Sequence, residues 1–433
     1  MLEESALQVY KFGGASVRDA AAIRNLAAIV RAHGAGRPLL IVVSAMGKTT
    51  NALEEIFGLA HAGQDYRAPL AQLAAFHAQV ARELHGNAGR PGPDDEYGAP
   101  AVACGPTSLG GLLESLRERL TRMRPGEYDR QYDQVVSYGE LLSSLLVASV
   151  LEADWLDCRP LIRTDRNWRE GRVDWPTTER AVQAALGPRL RQGVVVTQGF
   201  VGSTASGATT TLGREGSDYS AAIFAYCLRA SSVTIWKDVA GLLNADPKIF
   251  PHPVRYPEIS YQETIEMAYY GASVIHPKTL KPLAERGIPL FVKSFLDPTA
   301  EGTVIHDCRH GLLAPAFIRK TGQCLVSFES KDFAFISEEN LEVIFGALAQ
   351  ARLKINLMQN SAISFSVCLD YDERRLTELL AGLREQFAIH YNTDLTLFTI
   401  KNYDPASVEQ VTSGRQLLLE QRTRQTFQVL IAD

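Results

Sequence analysis

Apolar, β-rich runs recur through nearly 300 residues of this chain, and most of the gaps between them carry helical periodicity. The strand candidates are Leu7 to Phe12, Pro38 to Val43, Trp155 to Ile162, Gly193 to Val201, Ser232 to Trp236 and Pro289 to Lys293. The run PLLIVV at 38–43 has almost no polar interruption, as a strand covered on both faces requires. Such alternation predicts an α/β domain over residues 1–300 with a largely parallel central sheet and helices on both faces. The text turns Gly/Pro-rich over 86–106, and turn-rich without sustained periodicity around Leu296 to Pro315, where 301–315 reads as a linker. Beyond it the order is strand, helix, strand, strand, helix, strand from Gln323 to Tyr391. That is a ferredoxin-like α+β unit. The rest of the 316–433 region reads as an abbreviated second unit, with strands at Leu395 to Ile400 and Thr426 to Ile431.

Composition narrows the function. With 44 Lys plus Arg against 49 Asp plus Glu, the chain lacks the basic excess of a nucleic-acid binder. The richest apolar stretch, Leu141 to Ala153, is interrupted by serines and reads as too short to cross a bilayer. The N-terminus is acidic where a signal peptide is basic. The six cysteines contain no CxxC and read as buried thiols of a reducing compartment, neither a disulfide framework nor a zinc site. A cytoplasmic enzyme of several domains is the expectation.

Three segments carry chemistry. In Lys11-Phe12-Gly13-Gly14 a strand runs into two glycines and then a helix, which places backbone N–H groups and a helix N-terminus around a concave spot suited to phosphate. Lys11 at the strand end can neutralise charge on a transferring phosphoryl group. Gly47-Lys48-Thr49 imitates the end of a P-loop. The glycine such a loop needs five residues earlier is Val42, inside a strand, so the loop has no room to wrap phosphates. What survives there is a strand-end loop whose Ser44 and Thr50 hydroxyls suit a small anionic substrate. The third segment, Thr209 to Ser220, offers hydroxyls, glycines, Arg214 and Asp218 ahead of a helix. Arg214 suits a carboxylate, and Asp218 suits orienting Lys11 or holding Mg²⁺.

These segments, with Tyr138-Gly139-Glu140, Trp236-Lys237-Asp238-Val239, Asp246-Pro247-Lys248 and Gly271 to Pro277, occur in the order and approximate spacing of aspartate kinases. The chain resembles that family over its first 300 residues, and the βαββαβ tail resembles its ACT regulatory modules. The resemblance implies an amino-acid kinase fold and transfer of the ATP γ-phosphoryl to the β-carboxylate of L-aspartate with Mg²⁺. It implies that Lys11 stabilises the phosphoryl and that Asp218 organises Lys11. Phe12, Gly13 and Gly14 would line the phosphate site. Ser44, Thr50, Glu140, Arg214, Gly216 and Ser217 would hold aspartate, Glu140 at its ammonium and Arg214 at its α-carboxylate. Lys237, Asp238, Lys248, Ser273 and Val274 would border the nucleotide. Met358, Gln359, Asn360 and Ser361 would form an effector site for lysine or threonine. A homodimer or higher homo-oligomer is implied as well. Glu215 replaces a glycine of the family pattern, so its side chain is expected to turn away from the anion site or to pair with a cation. Ser273 stands where many members carry lysine. The competing readings are a glutamate-type amino-acid kinase and a non-catalytic amino-acid sensor. A kinase–homoserine dehydrogenase is disfavoured, because no dinucleotide fingerprint is present.

Overall fold

The computed structural model describes residues 7–34, 36–86, 103–104, 107–272, 275–309, 313–332 and 334–432. Ser273, Val274 and most of the 86–106 excursion lie outside them. The chain divides into two compact units. The first comprises Met1–Leu242, Arg255–Ile265 and Val274–His310; the second comprises Leu243–Val254, Glu266–Ser273 and Gly311–Asp433.

An eight-stranded sheet organises the first unit. Its order is Glu258–Ser260, Thr303–His306, Leu290–Ser294, Ser232–Lys237, Gln8–Phe12, Leu39–Val43, Val194–Gln198 and Asp154–Leu156. All neighbours pair in parallel except Leu290–Ser294 with Thr303–His306. Thr303–His306 therefore belongs to the sheet, and the linker expected over 301–315 begins later than the turn-rich text suggests. The strand Leu39–Val43 is buried along its whole length, as its unbroken apolar text requires. Gln8–Phe12 lies between Leu39–Val43 and Ser232–Lys237, so the chain builds the sheet first on one side of it and later on the other. A crevice opens at such a switch point, beyond the carboxyl ends of the strands.

Two strand expectations were too long. The Trp155 to Ile162 run ends its pairing at Leu156, and Arg163–Thr164 joins Val201–Thr204 and Thr209–Thr211 in a separate small sheet. The Gly193 to Val201 run breaks at Gly199-Phe200, where Phe200 takes a left-handed φ of 68°. The helices Tyr128–Val136 and Tyr138–Leu151 follow one another as a 24-residue stretch. By length and composition that stretch could cross a membrane, against the sequence expectation. Its apolar window is 78% buried within the protein, which makes it a core helix.

In the second unit six antiparallel strands run in the order Ile355–Asn360, Ser364–Asp370, Ala316–Ser330, Phe387–Lys401, Thr426–Ala432, Leu417–Arg422. The ferredoxin-like half is present, with the helices Glu338–Gln350 and Glu373–Leu383 packed over Val326, Phe328, Val367 and Phe387. The other half is more complete than the text after Ile400 suggests. Ala316 to Lys320 and Leu395 to Lys401 pair with each other as its inner strands, and Phe398, Ile400, Val411, Phe427 and Val429 form its core. The sequence hides this because two long strands, their pairing interrupted by register shifts around Gly322, serve both halves.

Four cysteines, Cys158, Cys227, Cys324 and Cys368, are buried thiols as expected. Cys308 is only half-buried, and its sulfur lies within 4.8 Å of ligand atoms of Glu258 and His306.

Candidate active site

A cavity of about 610 Å³ opens at the switch point. Strand ends supply Lys11, Ser44, Lys237 and Asp238; the Gly13–Ser16 turn and the first turn of the helix Gly216–Leu228 supply most of the rest.

Lys11 Nζ lies 2.6 Å from Asp218 Oδ1, and Lys237 Nζ lies 3.6 Å from Asp218 Oδ2. Asp218 is 3% exposed, so an isolated carboxylate there would be costly. Burial pushes its carboxyl up, but the Lys11 and Lys237 ammonium groups outweigh burial and hold it below the usual range. Asp218 stays ionised and forms an ion pair with each lysine, Oδ1 toward Lys11 and Oδ2 toward Lys237. The orienting role is the one this geometry favours over metal ligation.

The backbone around these lysines differs from the simple strand–Gly-Gly–helix picture. Gly14–Val17 form a short 3₁₀ turn, and the α-helix begins only at Ala20, capped by Asp19 Oδ1 at 2.8 Å from the Ala22 nitrogen. A helix N-terminus that does line the cavity is that of Gly216–Leu228, whose cap position, Glu215, makes no side-chain cap. Ser217 and Asp218 are therefore first-turn residues, and the N–H groups there are available to an anion. Gly14 allows the turn to sit close to the neighbouring loop: a Cβ there would come 3.0 Å from the Ala45 carbonyl oxygen.

Glu140 sits in the first turn of Tyr138–Leu151 and is 4% exposed. Its Oε1 accepts from the Ala45 N–H at 3.1 Å, while Oε2 has no hydrogen-bond partner among the described residues. Gly139 makes the approach possible, since a Cβ there would lie 2.8 Å from the Ala45 Cβ. Burial pushes the Glu140 carboxyl up to about 8, against the smaller pull of the Ala45 N–H and of Lys11. A buried acceptor left open inside a cavity is a receptor for a donor that arrives with the ligand.

Thr50, half-buried, and Ser44 line the same cavity. Lys48, the cap position of Thr49–His61, is exposed, and no threonine hydroxyl caps that helix. Arg214 lines the cavity and is exposed. Glu215 turns away from a purely anionic role: its Oε2 accepts from the His276 N–H at 2.9 Å, at the start of the helix Pro277–Arg286. The partner is a backbone group, not a cation.

Two expected residues do not reach the cavity. Phe12 is fully buried and stacks on Trp236, with ring centroids 6.0 Å apart and an interplanar angle of 4°. Side chains alternate along a strand, so if Lys11 faces the ligand Phe12 faces the core. Lys248 is exposed within Leu243–Val254 of the second unit and is not among the lining residues. The effector candidates Met358, Gln359 and Asn360 are exposed along the edge strand Ile355–Asn360, with Ser361 in the following turn.

The sequence reading missed one wall, formed by Glu54, Tyr132, Arg169 and Phe200 beside Thr211 of the third segment. Tyr132 donates a short hydrogen bond to Glu54, and the Arg169 guanidinium lies over the Tyr132 ring, 4.0 Å from its centroid. Behind them, buried Asp133 accepts from the Arg169 N–H at 2.9 Å and from the Thr211 N–H and hydroxyl at 3.0 and 2.9 Å. These residues come from separate loops and helices without a shared motif. The one available signal was the turn-rich text around Trp168 to Gly171.

Comparison with known proteins agrees with this geometry. Residues 6–294 match the Amino acid kinase family. The chain is 35% identical over 374 residues to lysine-sensitive aspartokinase 3 of Escherichia coli (strain K12), covering 84% of this chain and 79% of that protein. It is 29% identical over 398 residues to the chloroplastic bifunctional aspartokinase/homoserine dehydrogenase 2 of Arabidopsis thaliana, of which it spans 42%. Among solved structures, E. coli aspartokinase III in complex with aspartate and ADP superposes with a TM-score of 0.78 at 29% identity, covering 98% of this chain and 96% of that one. The fold, the cavity at the sheet's switch point and these matches together place the chain in the amino acid kinase family, among the aspartokinases.

Proposed function

We infer that the chain is an ATP-dependent aspartate kinase, which transfers the γ-phosphoryl of ATP to the β-carboxylate of L-aspartate and yields 4-phospho-L-aspartate. This is the entry step to lysine, threonine and methionine synthesis. The observation that carries the reading is one cavity holding both a lysine pair fixed on Asp218 and the open Oε2 of buried Glu140.

Glu140 receives the α-ammonium of aspartate, and Arg214 takes the α-carboxylate in a bidentate pair. Thr50, Ser44 and the first-turn N–H group at Ser217 complete the grip, with Gly216, whose own N–H donates to the Gly213 carbonyl at 2.9 Å, beside it. Two opposite charges then fix the amino-acid end and leave the β-carboxylate to meet the nucleotide. That nucleophile is already an anion, so no general base is required; what the reaction needs is positioning and relief of repulsion between two anions. Lys11 and Lys237 supply that relief, because Asp218 holds them before the nucleotide arrives and little reorganisation remains at the moment of transfer. Gly13 and Gly14 let the backbone approach the phosphates, and Asp238 borders the nucleotide. Magnesium enters as part of the substrate, MgATP. Of the carboxylates at the lysine end, Asp218 is committed to lysines and Asp238 is the one left to face it.

Glu140 also sets a proton step. In the empty site it holds a proton at neutral pH, and binding of the ammonium group displaces that proton to solvent.

For the second unit we propose lysine as a feedback effector acting near Met358 to Ser361. The named sensitivity of the E. coli relative supports this, as does its solved complex with lysine and aspartate. Hydroxylamine trapping of the acyl phosphate, with ATP, Mg²⁺ and a panel of acidic amino acids, tests the activity. Product with aspartate is expected, and inhibition on adding lysine but not threonine is expected from the second proposal. Nucleotide binding without acyl phosphate would return the protein to the class of amino-acid sensors.

A further inference from the structure

Arg169 occupies a backbone conformation that its side chain disfavours. Its φ is 64°, the left-handed region where glycine is at home. The conformation is enforced by Asp133, buried behind the cavity, which accepts the Arg169 N–H with the same oxygen that accepts the Thr211 N–H. The two loops are stapled a second time by the Gly171 N–H, which donates to the Thr211 carbonyl at 2.8 Å. Thr211 leads directly into Gly213-Arg214, so one carboxylate sets the frame for both Arg169 and the strand end that carries Arg214. The Arg169 guanidinium is then steered from two sides, by the Tyr132 ring at 4.0 Å and by Asp129, 3.5 Å from Nη1. Neither contact uses the whole fork of five donors. Both guanidinium groups line one cavity with Glu140.

We propose that Arg169 is a second substrate-anchoring cation at the amino-acid end of the cavity, held there at the expense of backbone strain, and that it works with Arg214 on the carboxylate of an acidic amino acid. The proposal rests on the aspartate-kinase reading above. Strain retained beside a ligand cavity and enforced by a buried carboxylate is the pattern of a functional constraint.

The test uses Arg169→Gly, which suits the observed φ and so carries no backbone reason to misfold, beside Arg169→Lys in the full-length chain. Aspartate binding in the presence of ADP is titrated by calorimetry, and the KM values for aspartate and ATP are measured by hydroxylamine trapping. Arg169→Gly is expected to weaken aspartate binding and raise its KM about tenfold, the loss of one charge-assisted contact. The KM for ATP should stay within about twofold. Arg169→Lys, which keeps the charge without the planar fork, should fall between wild type and Arg169→Gly. Unchanged aspartate affinity in Arg169→Gly overturns the proposal, as does an equal rise in both KM values, which is the signature of a disturbed scaffold. Wild-type protein that binds aspartate but makes no acyl phosphate defeats the kinase reading alone, since the calorimetric comparison still decides the role of Arg169. A wild type that binds no aspartate defeats both.

Discussion

The cavity contains two charged clusters built on opposite plans. Around Asp218 each charge already has an opposite partner within the protein: two ammonium groups share one buried carboxylate, which remains ionised, and one net positive charge is left for the phosphates. Around Glu140 the charges are left open: one oxygen is unpartnered, the carboxyl is pushed up to about 8, and Arg214 is exposed. The first cluster is ready before any ligand arrives, as electrostatic stabilisation of a transition state demands. The second is incomplete until a zwitterion completes it, and so it can choose among substrates. Rate and selectivity are thereby assigned to different carboxylates of one site.

The sharpest way to break this division is at Lys11. Lys11→Ala should reduce turnover by roughly 10²–10³-fold, the usual effect of removing one preorganised donor, while the KM for aspartate changes little. Lys48→Ala, on an exposed residue, should leave turnover within about twofold of wild type, since a solvated lysine outside the cavity stabilises no reacting charge. The reverse ranking in steady-state assays would revive a phosphate-binding role for the Gly47-Lys48-Thr49 loop.

Next in size is Glu140→Gln. It should lower kcat/KM for aspartate by roughly 10–100-fold through loss of a buried charge-assisted contact, with the ATP KM preserved. The same change should raise the melting temperature of the ligand-free protein at pH 8. Between the ordinary value of 4.5 and about 8 the unfolded chain has released a proton that folded Glu140 retains, so wild-type stability falls as pH rises through that window. Glutamine removes that dependence. A variant no more stable than wild type at pH 8 would show that Oε2 is not an open, desolvated acceptor.

Arg214→Ala should raise the aspartate KM about tenfold and leave that of ATP alone, as loss of one bidentate carboxylate partner implies. Equal effects on both would remove Arg214 from the amino-acid end. The smallest effect concerns pH. Because the ammonium group needs Glu140 ionised, the KM for aspartate should fall as pH rises from about 6.5 and level off above about 8, by no more than tenfold per unit. Proton release on aspartate binding at pH 7, read from calorimetry in buffers of different ionisation enthalpy, would sharpen the same point.

Much of this site was legible in the sequence because its principal residues lie in short strings where strand, glycine and helix start coincide. Lys11, Arg214 and Asp218 fall in such strings, whereas Glu140, preceded by a helix and not by a strand, was marked by the family resemblance alone. Phe12 was misread although its neighbour held the answer, since a two-residue period sends Lys11 and Phe12 to opposite faces. The Glu54–Tyr132–Arg169 wall was barely legible, its one signal being the turn-rich text around Trp168 to Gly171. Its members are brought together by Asp133, a buried acidic residue within the helical text Tyr128–Val136, and nothing local marks that carboxylate as a staple for distant loops. In the second unit the helices and strands of the ferredoxin-like half followed from periodicity. The completeness of the other half did not, because pairing between Ala316 to Lys320 and Leu395 to Lys401 is non-local and leaves no trace in either segment alone.

Those two 15-residue strands have a consequence for how the second unit opens. Each runs through both halves of the sheet, so neither half has a peptide seam along which it can melt while the other persists. Amide protons along Ala316–Ser330 and Phe387–Lys401 are expected to exchange with a single opening free energy, as one foldon. A ligand that stiffens either end of the sheet would then slow exchange at the other, with no displacement of any atom required.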